Sequence, residues 1–244
     1  MKKVILLVVI FCCTIKNGIC SEKNFLDVYN NKYTIHTTNI NTKLLKTDTL
    51  IMFGGSIAGA GILYLLPESI TNWDKDDASN IFKKWEKNVR EGPVKDKDDW
   101  FLNWITHPYW GAVYYMAARS SGLGVLYSFG FSCFLSTVFW EYGIEAFAEV
   151  PSKQDLIITP VVGSIFGELF YLSKRKILNN DYKLFNSTKL GHVALFLMDP
   201  ITEISSLFIK DKSLIEEQKV AIHSFPMVDN DGNLGYNIAL NIKF

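Results

Sequence analysis

The sequence predicts a mainly α-helical, membrane-associated bundle of four or five apolar helices that ends in a short C-terminal β-hairpin. Three observations support this fold class. Hydrophobic residues make up 48% of the 244 residues and charged residues 20%, so the chain has enough apolar side chain to bury a core. The charges are unevenly spread, because residues 100–118 and 120–140 contain none apart from His107. The last residues alternate apolar and polar with period two, which is typical of a strand.

The N-terminus predicts export. Two lysines precede the apolar stretch 4–15, whose length suits a bacterial signal peptide rather than a membrane span. We expect cleavage after Cys20, with lipid attachment to Cys20 and an uncleaved anchor as the alternatives. The formal net charge is zero, so no overall basic field favours nucleic acid as a partner.

Composition and hydropathy divide the chain into four segments. They are a signal peptide at 1–20, a polar β-leaning segment at 21–48, a helical domain at 49–210 and a C-terminal β element at 211–244.

Several apolar stretches predict the helices of the domain. Residues 50–66 form an apolar run with glycines four residues apart, long enough for a span or a core helix. Residues 68–99 predict an amphipathic surface helix, or one that rests on anionic headgroups. A long helix from 125 to about 149 follows, and a further apolar segment, 193–209, is broken by Asp199-Pro200.

A helix over roughly 153–174 has a recognisable start and a small-residue face. Ser152 can cap it and Asp155 can close the capping box. Gly163 and Gly167 stand four residues apart, which permits close approach of another helix. Pro160 lies within this segment and is expected to kink or divide it.

Residues from about 82 to 172 resemble a bacterial family known as domain of unknown function 3943. The resemblance is carried by matching glycine, proline and polar positions over this long span. They are Gly92-Pro93, Asp96, Asp98, Trp100, Asn103, His107-Pro108-Tyr109, Gly111, Tyr114-Tyr115, Ala118-Arg119-Ser120, Gly122, Ser136, Trp140-Glu141, Glu145, Pro151-Ser152, Asp155-Leu156-Ile157, Thr159-Pro160, Gly163 and Gly167-Glu168.

The resemblance implies an exported envelope protein and brings no activity with it. Some family members continue into an outer-membrane barrel, whereas this chain has room for only a hairpin after residue 210. A second pattern is similar to the VanZ-like membrane proteins: a histidine, a glutamate on a helix, Ser-x-x-Asp and a Gly-xxx-Gly helix.

Four ionisable residues are candidates for chemistry. Glu141 and Glu145 share one helix face, Glu168 stands alone in an apolar helix, and His107 lies near an aromatic cluster. If they converge, they can act as an acid/base pair or bind a divalent metal. The alternative is a structural network in which Arg119, backbone amides and Trp or Tyr donors satisfy these groups. The sequence contains no recognised metal motif and implies no cofactor.

Two functions follow from these observations. The first is a non-enzymatic envelope component, embedded in or lying on a membrane, with a structural or lipid-handling role. The alternative is an envelope enzyme that acts on a lipid or cell-wall substrate through the His/Glu cluster. Membrane lipid is the expected partner, and another envelope protein or self-association stays open. The alternating strand at residues 236–244 favours the outer membrane over the inner one.

Overall fold

The computed structural model describes residues 33, 35–37, 40–68, 80–95 and 100–209, together with the backbone of 220–228 and 234–242. The predicted signal peptide and most of the segment 21–48 lie outside these residues. The described helices confirm the mainly α class. They are α1 (Thr42–Leu65), α2 (Ile81–Glu91), α3 (His107–Ser120), α4 (Val125–Cys133), α5 (Asp155–Asn179), α6 (Thr188–Met198) and α7 (Pro200–Phe208).

Three of these helices contain or adjoin π-helical stretches. Leu102–Thr106 leads into α3, and Phe134–Ile144 continues α4 to a final 3₁₀ turn at Glu145–Phe147. Ile158–Val162 lies within α5 and contains Pro160. Because proline has no backbone N–H to donate, the helix accommodates it by widening locally instead of breaking. Where the sequence predicted a kink or a division at Pro160, the structure has a π-helical stretch in a continuous helix.

Helix α1 begins earlier than the sequence predicts. The Asn41 side chain accepts a hydrogen bond from the Leu44 N–H (2.9 Å) and caps the helix. The next two turns bury Leu44, Asp48 and Met52, which lie four residues apart on one face. The stretch 42–48, assigned to the β-leaning segment from its polar residues, is therefore the buried start of a helix.

Helices α3 and α5 run parallel and form the centre of the bundle. A Cβ added to Gly163 would lie 2.6 Å from the Gly111 Cα, and one added to Gly167 would lie 2.6 Å from the Tyr115 ring. The residue pairs 111–163 and 115–167 advance together along both helices, so the axes point the same way. Every residue of α3 from Gly111 to Ser120 is buried.

The amphipathic helix α2 attaches to the end of the π-helical part of α4. The Trp85 Nε1–H donates to the Tyr142 carbonyl (2.8 Å), and the Asn88 amide donates to the Ala146 carbonyl (3.0 Å). Beyond α2, Val94 pairs with Ser152 in an isolated β-bridge. Lys83, Lys87 and Arg90 remain exposed, as expected for a helix with a solvated charged face.

Two described helices are long and apolar enough to cross a membrane, judged by length and composition. They are Thr42–Leu65, with mean hydropathy 1.4, and Asp155–Asn179, with mean hydropathy 1.6. In the most apolar 18-residue window, 11% of the first and 33% of the second is buried.

The C-terminal residues form a second unit, Lys210–Phe244. Its backbone forms two strands, β1 (Val220–Val228) and β2 (Leu234–Ile242), paired antiparallel with Val220 opposite Ile242.

Candidate functional site: three buried polar clusters

The first cluster lies where α3 and α5 begin side by side. It comprises His107, Glu141, Glu145 and Asp155, and we call it the carboxylate cluster. The His107 Nδ1 lies 3.3 Å from the Thr159 hydroxyl and 3.7 Å from Asp155 Oδ1. The imidazole is 14% exposed and the Asp155 side chain 5% exposed, so this pair is shielded from water.

Glu141 holds the start of α5. Its carboxylate accepts the backbone N–H of Ser152. The Ser152 hydroxyl in turn accepts the N–H groups of Gln154 (3.1 Å) and Asp155 (3.2 Å), as predicted for a cap. We expected the Asp155 side chain to accept the Ser152 N–H and so complete a capping box. Glu141 accepts that N–H instead.

Glu145 stands one turn beyond Glu141 and is also buried. Burial, and then the neighbouring charge of Glu141, raise the pKa of Glu145 well above its usual range. The raised pKa favours the neutral form of Glu145 beside the Glu141 carboxylate. Two glutamates four residues apart are thereby stable in the same buried space.

The second cluster surrounds Glu168, and we call it the arginine cluster. Arg119 binds the Glu168 carboxylate through Nε to Oε2 (3.0 Å) and through an Nη to Oε1 (3.3 Å). The Tyr115 hydroxyl donates to Oε2 (2.5 Å), and the Tyr33 hydroxyl donates to Oε1 (2.6 Å). The Arg119 guanidinium also lies 4.2 Å from the centre of the Tyr171 ring. Four donor contacts therefore satisfy a carboxylate that the sequence shows as isolated.

The four candidates do not form one site. His107, Glu141 and Glu145 belong to the carboxylate cluster, whereas Glu168 belongs to the arginine cluster. Thirteen residues of helix α5 separate Asp155 from Glu168, a distance of about 20 Å at 1.5 Å per residue. Glu141 and Glu168 therefore do not converge, because Glu141 contacts the Ser152 N–H at the start of α5 whereas Glu168 lies much further along that helix.

A third cluster was not foreseen from the sequence, and we call it the lysine cluster. Lys174 Nζ donates to Asp199 Oδ2 (2.7 Å), with side chains 2% and 0% exposed. The Ser120 hydroxyl donates to the same oxygen (2.5 Å), and the Thr202 hydroxyl donates to Asp48 Oδ2 (3.1 Å). In the sequence, Lys174 is the last residue of the helix predicted over roughly 153–174, and Asp199 stands at a helix break. Charged residues at helix ends are normally exposed.

The described residues offer no metal centre. Nowhere in 40–68, 80–95 or 100–209 do three or more His, Cys, Asp or Glu side chains come together in a way that can hold a metal ion. A surface depression of about 390 Å³ lies along α2, lined by Lys83, Glu86, Lys87, Arg90 and Glu91, and the candidate residues are not part of it.

Comparison with known proteins supports the family prediction. Residues 92–201 match the model of a family described as a domain of unknown function (DUF3943), and this confirms the resemblance. The chain has no significant match among curated proteins or solved structures. The similarity to VanZ-like proteins has no support from these comparisons and stays a prediction. All of the carboxylate and arginine clusters except Tyr33 falls within the matched region.

Proposed function

We propose that this protein is a membrane-embedded helical component of the bacterial cell envelope. Its residues 92–201 match the DUF3943 family. Its role is structural or lipid-handling, and its primary partner is membrane lipid. The family description assigns no activity, so the proposal depends on the distribution of apolar and polar side chains in the structure.

The observation that carries the proposal is the exposure of α1. An apolar helix of 24 residues in a water-soluble protein is normally a core helix, yet 11% of its apolar window is buried. Leu50 is 70% exposed, Ile57 65% and Leu65 84%. Leaving such a contiguous apolar surface in water is unfavourable by about 25 cal/mol per Å², whereas acyl chains solvate it without cost.

Other helices extend this apolar surface. Helix α5 exposes Ile165 and Leu169, and α6 exposes Val193 and Leu197. Near the start of α3, four aromatic residues are 44% to 65% exposed, which is typical of side chains at a membrane–water interface. They are Trp100, Phe101, Trp104 and Trp110.

The polar interior favours a structural role over catalysis. Glu141 is bonded to a backbone amide and Glu168 to an arginine and two tyrosines. Side chains of the carboxylate cluster are at most 14% exposed, so a substrate has no open path to them. The enzyme alternative rests on the Glu141–Glu145 pair, because an acid/base dyad needs two neighbouring carboxyl groups of which one has a raised pKa, as Glu145 has.

The location in the envelope follows from sequence features. Two lysines ahead of the apolar stretch 4–15 support export, and the period-two pattern of β2 supports the outer membrane, which we propose as the location. Separation of the two membranes on a density gradient tests this directly. Recovery of the protein with inner-membrane markers alone replaces the outer membrane with the inner one and leaves membrane embedding intact.

The embedding itself is tested with two exposed residues of similar character. Ile57→Lys places a charge at the middle of α1, at a cost of about 2.5–3.5 kcal/mol if that position faces acyl chains. Phe185→Lys is the matched control, because Phe185 is 87% exposed but lies between α5 and α6. We expect alkaline carbonate to release the Ile57→Lys protein from membranes and to leave wild type and Phe185→Lys in the pellet. Release of the wild-type protein, or equal behaviour of the two variants, contradicts the proposal.

A further inference from the structure

We propose that three lysines at one end of the bundle bind the phosphate groups of anionic membrane phospholipids. They are Lys46 on α1, Lys176 on α5 and Lys189 on α6, all exposed, and we call them the basic rim. The inference rests on the proposed membrane embedding. It adds which class of lipid the protein binds and at which end of the bundle.

The helix ends that carry two of these lysines are joined through α3. The Asn41 N–H, just ahead of α1, donates to the Ser121 carbonyl (2.9 Å) at the end of α3. In the last turn of α3, the Arg119 guanidinium lies 4.2 Å from the centre of the Tyr171 ring of α5. The start of α1 therefore lies at the same end of the bundle as the last turns of α5.

The start of α6 reaches the same end. A Cβ added to Gly191 would lie 3.4 Å from the Ile177 Cγ2 and 1.9 Å from the Tyr182 carbonyl oxygen. The first turn of α6 thus packs against the last turn of α5 and against the turn that follows it. All three lysines of the basic rim consequently belong to one end of the bundle.

Each lysine of the basic rim stands one helical turn closer to that end than an exposed apolar side chain. Residues four apart share a helix face and differ in height by about 6 Å. The apolar partners are 70%, 37% and 57% exposed. The pairs are Lys46 and Leu50 in α1, Lys176 and Leu172 in α5, and Lys189 and Val193 in α6.

The same order in three helices marks one level at which the exposed surface changes from apolar to basic. A bilayer has such a boundary where acyl chains meet headgroups. A lysine placed there can lay its apolar stem along the acyl chains and hold its ammonium among the headgroups. The level of the basic rim is therefore that of the phosphate groups.

The acidic side chains near the basic rim have other partners. Asp181 lies 3.9 Å from Lys183, and Glu203 lies 3.9 Å from Lys174. Among the residues that the structure describes, none forms an ion pair with a lysine of the basic rim. The rim therefore has an excess of positive charge, which complements an anionic headgroup. Each lysine near an anionic surface strengthens binding about fivefold.

Helix α2 is also rich in basic residues, but its charges are balanced differently. Arg90 Nη2 lies 2.5 Å from the Glu86 carboxylate, and Lys87 Nζ lies 3.8 Å from that of Glu91. Two of its cations thus have acidic partners one turn away on the same helix. We therefore assign anionic lipid to the basic rim, and α2 supplies a matched control surface.

Lipid titration of the purified full chain in neutral detergent tests the assignment. Dioleoylphosphatidylglycerol is the anionic probe and dioleoylphosphatidylcholine the neutral one. Thermal unfolding reports binding, since a ligand that binds the folded state raises the midpoint as its concentration rises. We expect phosphatidylglycerol to raise the midpoint further than phosphatidylcholine, and inorganic phosphate to leave it unchanged. An equal rise with inorganic phosphate, or no difference between the two lipids, overturns the proposal.

Two triple variants locate the binding. The first removes the charges of the basic rim, by Lys46→Gln, Lys176→Gln and Lys189→Gln. The second removes three exposed charges of α2, by Lys83→Gln, Lys87→Gln and Arg90→Gln. We expect the first to weaken the apparent affinity for phosphatidylglycerol about tenfold or more, and the second to leave it near that of wild type. Equal losses in the two variants contradict a site at the rim.

Two further comparisons separate the possible failures. Arginine at the three positions of the basic rim keeps the charge, so it should retain the affinity for phosphatidylglycerol, and its loss there overturns the proposal. Release of the wild-type protein from membranes by alkaline carbonate overturns the embedding and this inference together. Retention in membranes without a preference for phosphatidylglycerol overturns only the role of the basic rim.

Discussion

The contact between Gly111 and Gly163 makes the sharpest prediction about packing. A Cβ built on Gly163 lies 2.6 Å from the Gly111 Cα and 2.7 Å from its carbonyl carbon, whereas carbon atoms in contact are about 3.5–4.0 Å apart. Both neighbours are backbone atoms, so no side chain can rotate away. Gly163→Ala therefore forces α3 and α5 apart by roughly 1 Å along their contact.

The cost is measured against a second glycine-to-alanine change. Gly59→Ala lies in α1, where nothing is within 4 Å of the added Cβ. Both variants gain about 1 kcal/mol of helix propensity, so the difference between them isolates the overpacking, about 1–3 kcal/mol. For a chain of this size that difference is about 2–12 °C in Tm, with Gly163→Ala the less stable. The assay is thermal unfolding of the purified protein in detergent. Equal midpoints for the two variants refute the close contact.

Three further predictions use the same unfolding assay. Arg119→Ala should lower stability by about 3–5 kcal/mol, because it leaves the partly buried Glu168 without its cation; a wild-type midpoint contradicts this. Tyr33→Phe removes one hydrogen bond to Glu168 and should cost about 1 kcal/mol, far less than Arg119→Ala. Glu145 lies outside the two helices that are long enough to cross a membrane, and burial and the charge of Glu141 raise its pKa. Protonated Glu145 therefore stabilises the folded state fully below about pH 4.3, and this stabilisation is lost as pH rises through the raised pKa. Glu145→Gln should flatten that decline, and an unchanged pH profile argues against a proton on Glu145.

Hydrophobic periodicity and helix-capping residues in the sequence predicted most of the helices. The hydrophobic spacing predicted α2, the broken segment at Asp199-Pro200 became α6 and α7, and Ser152 caps α5 as expected. The start of α1 was missed because its inward face carries Asp48, and a charged residue in a pattern normally marks the solvent side. The partner that makes its burial possible, Thr202, is 154 residues away.

For the polar clusters, the sequence identified single ionisable residues but not the partners that they bind. Glu168 was recognised as unusual because a carboxylate in an apolar helix needs a partner. Its partner Arg119 was named in the structural alternative, yet the pairing spans 49 residues and depends on the parallel register of α3 and α5. Local sequence cannot supply that register, since it is set by the Gly111–Gly163 contact between the two helices. Lys174 and Asp199 escaped notice because each fits a common helix-end pattern.

Helix α3 links the arginine and lysine clusters, and this explains its unusual composition. Arg119 and Ser120 are adjacent in sequence, but Arg119 binds Glu168 of α5, whereas Ser120 binds Asp199 ahead of α7. A buried helix can carry such residues only if each finds its partner on a different neighbour, because an unpaired buried charge costs several kcal/mol. The two contacts therefore fix α3 against two sides of the bundle at one level. The buried polar contacts thus join several helices inside the bundle, while large apolar side chains such as Leu50, Ile57 and Leu169 lie exposed on its outer faces.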